Sequence, residues 1–255
     1  MITLPKPVST PYVPQTPVSK VLIAGDAPDG IIKKLLSYGV ESVKTGSLEN
    51  LPRGLMYHPD MQFVNICEGL IVYAKGANSQ TVKKLNDLGF ELIEGDTLLN
   101  DEYPYDIAYN CAVVGKYAFL NINHTDKKVL ELLEKCRIIP VHTRQGYAKC
   151  STAIINQEAI ITADITIHEN AVRVGIDSLL IPPQKNIRLR GYDYGFIGGC
   201  TGLISETQMA FAGDFNLLNS SEIIGKFLEK HGVKPVSLDN SCIHDIGSII
   251  PLCSV

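Results

Sequence analysis

The chain has 255 residues, of which 45% are apolar and 20% charged, with a formal net charge of -4. That mix suits a globular fold with a substantial core. The mild acidity, with no run of Lys and Arg, argues against a nucleic-acid binder that works by neutralising phosphates.

The first 20 residues, MITLPKPVSTPYVPQTPVSK, carry no apolar leader, and no apolar run approaches the ~18 residues of a membrane span. A cytoplasmic protein is therefore expected. Prolines at 5, 7, 11, 14 and 17 make residues 1–19 an extended arm, lying against the body or a neighbouring subunit, with one domain over 20–255. The seven cysteines (67, 111, 136, 150, 200, 242, 253) are odd in number, scattered and without a C-x-x-C pair. They are expected to be free buried thiols, with no disulfide within the chain and no zinc site.

After the arm, one pattern recurs: an amphipathic helix, a break, then an apolar strand. The copies are DGIIKKLLSYGVESV (29–43), SQTVKKLNDLGFELI (79–93), TDKKVLELLEKCRIIPV (125–141), HENAVRVGIDSLLI (168–181) and SEIIGKFLEKHGVKPVSL (221–238). A Gly follows the last helical turn in four of them, as a left-handed C-cap requires; Cys136 takes that place in the third. Asp29, Ser79, Thr125 and Ser221 stand as N-caps.

A short strand precedes each helix: 21–26, 70–75, 117–121, 159–164 and 209–214. Before that lies another: 60–66, 107–114, 149–155 and 196–204. The first copy lacks this strand, while 242–252, CIHDIGSIIPL, is a strand with no helix behind it. The surplus and the gap fit each other, so Asp245–Leu252 is expected to pair with Val21–Gly25. Five mixed units split across the termini favour a closed ring over a solenoid, which needs capped ends. Two Rossmann-like domains compete, but no Gly-rich strand-turn-helix signature is present.

This α/β propeller of five ββαβ units, with its closing unit split between the N- and C-termini, resembles the pentein superfamily of guanidine-modifying enzymes, which includes arginine and agmatine deiminases and amidinotransferases. Ile243-His244-Asp245-Ile246-Gly247-Ser248-Ile249-Ile250-Pro251 is similar to the closing strand of agmatine deiminases, I-H-C-I-T-Q-Q-x-P, with Asp245 where the nucleophilic Cys would be. His58-Pro59-Asp60-Met61-Gln62-Phe63-Val64 resembles their R-D-x-G-P-x-F-V stretch, which makes Asp60 the acid that holds a guanidinium or amidine. The family's Glu and general-acid/base His are absent near Gly146–Cys150 and Ile197–Cys200. With no Cys at 245, deiminase chemistry of the usual kind is not expected.

The first strands, lining a central channel, would gather His58, Asp60, Asn110, Lys149, Cys150, Cys200, His244 and Asp245. Cys242 should face away from Asp245 by strand alternation. Tyr192 and Tyr194, in GYDYG (191–195), are candidates for the channel mouth. Three functions follow, in this order. The first is a site that binds a small cationic guanidine or amine, using Asp60, His58, Asn110, Lys149, Cys150 and Asp245, with hydrolysis or modification of that ligand as an open extension and Asp245, Cys200 and His244 as catalytic candidates. The second is a thiol hydrolase using Cys200 or Cys150. The third is a non-catalytic interaction factor. If an enzyme, it would be a hydrolase or amidino-modifying enzyme. Asp60 and Asp245 are expected to converge on one cation. A divalent metal with His58 or His244 is the alternative, although the spacing gives no metal signature. No cofactor is implied. A homo-oligomer is an open expectation.

Overall fold

A computed structural model describes residues 6–255. The part of the expected arm at residues 1–5 lies outside the described residues. In chain order, the elements begin with β1 (Lys6–Pro7), β2 (Val18–Ile23), α1 (Asp29–Ser37) and β3 (Glu41–Lys44). A four-residue helix α2 (Pro59–Gln62) leads into β4 (Phe63–Cys67), β5 (Leu70–Tyr73), α3 (Ser79–Asp87) and β6 (Glu91–Glu94). The third unit is β7 (Ala112–Val114), β8 (Tyr117–Leu120), α4 (Lys127–Lys135) and β9 (Ile139–His142). The fourth is β10 (Thr152–Asn156), β11 (Ala159–Thr162), α5 (Ile165–Arg173) and β12 (Asp177–Leu180). The fifth is β13 (Thr201–Ser205), β14 (Gln208–Phe211), α6 (Ser221–Lys230) and β15 (Lys234–Ser237), followed by β16 (Ile250–Ser254).

Among the described residues the strands form five small sheets. In four of them the first strand runs antiparallel to the second and the second parallel to the third, as in β4-β5-β6. The parallel pair needs a crossover, and the helix supplies it. Each crossover helix buries one narrow stripe, Ile31 and Leu35 in α1, or Val129 and Leu133 in α4.

The remaining sheet, β1-β16-β2-β3, joins the two ends of the chain. β16 pairs antiparallel with β2, placing Ile250 opposite Leu22 and Pro251 opposite Val21. The expected closure is thus formed, but the strand starts at Ile250 rather than Asp245. Gly247 (φ 65°) and Ser248 (φ 79°) are both left-handed and break it there. The arm is no loose strap. Lys6–Pro7 pairs with β16, and Val8, Tyr12 and Val13 are buried.

Three further expectations are corrected. The first strands begin later than their apolar runs suggest, so Asp60 lies in α2, Cys200 in a single 3-10 turn before β13, and Asn110, Lys149 and Cys150 in the loops that enter β7 and β10. After α4 the left-handed residue is Arg137 (φ 58°), with Cys136 as the preceding C-cap. The N-caps shift by one residue: Asn78 and Asp126 cap α3 and α4 with their side chains, Asp164 caps α5, and Pro28 and Ser220 precede α1 and α6.

Cys67 and Cys136 form a disulfide, with Cα atoms 6.5 Å apart. This overturns the expectation of seven free thiols. The cysteines are 69 residues apart, and only the packing of α4 against β4 of the preceding unit brings them together. The scatter of cysteines therefore carries no argument about a reducing compartment. No helix among the described residues is long and apolar enough to cross a membrane.

Candidate functional site

The turns entering the inner strands meet one another through hydrogen bonds that pass through all five units. Asp60 N–H donates to Gly247 O (3.2 Å). Asn110 Nδ2 donates to Asp60 O (3.1 Å), and Asn110 Oδ1 accepts from Lys149 N (2.6 Å). Gly199 N–H donates to Cys150 O (2.8 Å), and Gly199 O accepts from Ser248 N (2.7 Å) and Ile246 N (3.0 Å). The circuit then returns to Gly247 and Asp60. It leaves no room for a side chain at Gly199, where a Cβ would overlap the Asp245 carboxylate.

Inside this circuit lies a buried polar knot. Lys149 Nζ donates to Ser248 Oγ at 2.8 Å and lies 5.3 Å from the centre of the Tyr12 ring. Ser248 Oγ is 2.7 Å from Asp60 Oδ2 and 2.9 Å from Gly198 O. One hydroxyl proton thus faces two acceptors. Burial raises the Asp60 carboxyl above the usual carboxylate range, against the pull of His58 and Lys149, and burial lowers Lys149. The Lys149 ammonium lies close enough to act on Asp60, Cys150 and Asp245 together. The positive charge foreseen between the two acids is therefore partly supplied by the chain itself.

Asp245 is held differently. Its Oδ2 accepts from Phe196 N (2.8 Å) and its Oδ1 from Gly247 N (3.1 Å). Oδ1 is 3.9 Å from His58 Nδ1. Burial raises its pKa to about 6, the backbone donors resisting. Burial pushes the His58 imidazole below its usual value, with Asp60 pulling the other way. His58 Nδ1 and Asp60 Oδ1 are buried with no hydrogen-bond partner. Donor atoms of His58, Asp60 and Cys150 lie within 4.8 Å of one another, a grouping that could hold a divalent metal, although Lys149 stands beside it.

Two cavities open on this floor. One, of about 240 Å³, is lined by Leu55, Tyr147, Cys150, Leu189, Tyr192, Asp193, Tyr194, Phe196 and Asp245. Its aromatic wall is continuous: Tyr147 and Phe196 have ring centres 6.0 Å apart, and Phe196 and Tyr194 6.5 Å. The other, of about 650 Å³, includes Asp26, His58, Lys185, Arg188, Arg190, Tyr192, Cys242, His244 and Asp245 in its lining. Asp245 is common to both.

Of the candidates read from the sequence, Cys150, His58, His244 and Asp245 reach a cavity. Asp60, Asn110, Lys149 and Cys200 line neither. Asn110 spends its amide on the circuit and on Cys150 Sγ (3.1 Å). Cys200 donates to Ile197 O at 3.2 Å and is fully buried. Burial pushes both the Cys150 and Cys200 thiols well above their usual value. Cys242, set aside on strand alternation, lines the larger cavity, because residues 242–249 are not a strand. Tyr147, Phe196 and Ser248 were missed. Tyr192 and Tyr194, read as a mouth, do line the smaller cavity.

The fold is shared with amidinotransferases, an agmatine deiminase and DDAH. An amidinotransferase of saxitoxin biosynthesis from Microseira wollei matches with a TM-score of 0.56 at 13% identity, over 92% of each chain. An agmatine deiminase from C. jejuni matches at 0.51 and 14%, over 93% of this chain and 96% of that one. A citrulline complex of DDAH from Pseudomonas aeruginosa matches at 0.53 and 7%, over 87% and 92%. At such identities the likeness speaks for the pentein fold alone. No curated protein matches by sequence. A family model does match, over residues 22–250, and the chain belongs to that family of unknown function, DUF6873.

Proposed function

We propose that this protein binds a small organic cation, an amine or a guanidine, in the smaller cavity. The observation that carries this reading is the Asp245 carboxylate beneath a wall of Tyr147, Tyr192, Tyr194 and Phe196. A cation lodged against aromatic faces gains from the ring quadrupoles, more so when desolvated. An ionised Asp245 adds charge-assisted hydrogen bonds to an N–H donor. The names of the structural neighbours, amidinotransferases and a deiminase, fit this ligand class. Asp60 acts from beneath, through Ser248 and Lys149, rather than by touching the ligand. If the bound cation is turned over, hydrolysis or amidino transfer is the reaction class, with a nucleophile other than residue 245.

The test is calorimetric titration with agmatine, arginine, methylguanidine and tetramethylammonium, repeated with Asp245→Asn and Tyr147→Leu. Saturable binding that weakens in both variants is expected. A wild type that binds none of the four overturns the reading and favours an interaction factor.

A further inference from the structure

Cys242 is the free cysteine that is not buried. Its Sγ lies 3.3 Å from His244 Nε2. Both side chains are half-buried and both line the 650 Å³ cavity, which shares Tyr192 and Asp245 with the smaller one.

The segment that carries them is pinned from two sides. Asp214 N donates to Ser241 O (2.9 Å), His244 N to Ala212 O (2.9 Å) and Arg188 N to Ile243 O (2.8 Å); Asp245 N donates to Arg188 O (2.8 Å). Arg188 and His244 are directly paired in a parallel bridge. A thiol and a base held at hydrogen-bond distance on rigid backbone are the parts of an activated nucleophile. Burial and Arg188 push the His244 imidazole below its usual value, with Asp239 opposing, and its Nε2 is the ring atom that faces the thiol.

We infer that Cys242 and His244 form a second reactive centre, in which an imidazole-activated thiol attacks the carbonyl of a carboxylate-bearing acyl compound. The anionic class rests on Arg188, which the backbone bridge sets beside His244. Lys185 and Arg190 share the cavity, so a carboxylate next to the thiol can pair with a cation there. Asp26, Asp193 and Asp245 also line it, and Asp193 and Asp245 belong to the smaller cavity as well. In the step itself the Sγ proton passes to Nε2 and sulfur bonds to the carbonyl carbon. The bond to the leaving group breaks, and that group departs with the proton from the imidazolium. Water then cleaves the thioester, releasing the acid and restoring the thiol.

The experiment needs no knowledge of the natural substrate. Native full-length protein is treated with iodoacetamide or iodoacetate at pH 7, and alkylation of the Cys242 peptide is followed by mass spectrometry, with the urea-denatured chain as reference. A neighbouring base that takes the thiol proton as sulfur attacks speeds alkylation of that thiol. Native Cys242 should react faster than in the denatured chain, and His244→Gln should remove the gain. The preference for iodoacetate over iodoacetamide should exceed that of the denatured chain and fall in Arg188→Gln. With 4-nitrophenyl succinate, a burst of one equivalent of nitrophenolate should appear and vanish in Cys242→Ser. Native alkylation no faster than in the denatured chain, a His244→Gln rate equal to wild type, or no burst overturns the inference. None of these readouts involves amine binding, so they stand or fall apart from the cation site.

Discussion

The backbone N–H of Phe196 donates to the carboxylate of Asp245 at 2.8 Å. The peptide that carries part of the aromatic wall therefore also fixes the charge beneath it. Wall and charge come from parts of the chain 49 residues apart. Changes at either partner should register in ligand binding before they register in folding.

The raised pKa of Asp245 gives a signed prediction. The folded chain holds this proton to about pH 6, whereas the ordinary value is 3.8. Between those values the folded state binds more protons than the unfolded one. The stabilisation is full below about pH 4 and is lost as pH rises through 6, in total on the order of 3 kcal/mol. Denaturant titrations at pH 4 and pH 7 should show wild type losing stability relative to Asp245→Asn over that interval. Cation affinity should move the other way, rising through pH 6 as the carboxylate ionises. An unchanged difference between the two proteins at both pH values contradicts the assignment.

Gly199→Ala is expected to act on the site rather than the scaffold. The new Cβ overlaps the end of the Asp245 side chain, which has to move. Loss of the calorimetric cation signal, with a circular dichroism spectrum like wild type, is the expected outcome. Full retention of binding would show that Asp245 need not occupy its observed position.

Ser248→Ala leaves Lys149 without its hydroxyl acceptor and Asp60 without a hydrogen-bond partner on either oxygen. Orphaning buried polar groups costs roughly 1–3 kcal/mol each. A double-mutant cycle with Asp60→Asn should show strong coupling, since both act on one network. Urea unfolding midpoints measure it, and additive effects would deny the network.

The disulfide predicts five titratable thiols in denatured, unreduced protein and seven after reduction, from the seven cysteines in the chain. Closing a loop of this length is worth about 4 kcal/mol in the chain-entropy account. Reductant should therefore lower the melting temperature, and Cys67→Ser should remove that sensitivity.

The repeat was legible because helix periodicity, Gly caps and a surplus strand are local signals. The pairing of the C-terminal strand with the segment from Val21 follows from them. The position of Asp245 was not, because two left-handed residues, one of them a serine, break an apolar run that otherwise reads as strand. Tyr147 and Phe196 lie in different units, and no spacing announces that their rings meet. Asp60 was found by resemblance, yet its internal partner Lys149 could be matched to it only once the turns were seen to converge. Cys242 was discarded by a valid rule of strand alternation applied where there is no strand.

The bond from Ser248 to Asp60 joins residues 188 positions apart. A ribosome finishes Asp60 long before it reaches Ser248, and every intervening unit must be made before the circuit can close. The emerging chain can build sheets and helices one unit at a time, but it owns no binding floor until the last turn arrives. Such distant contacts slow folding, because loop closure comes before its reward. Site assembly should therefore be the final event of folding, and ligand response should lag behind the recovery of helix signal when the denatured protein is diluted into buffer.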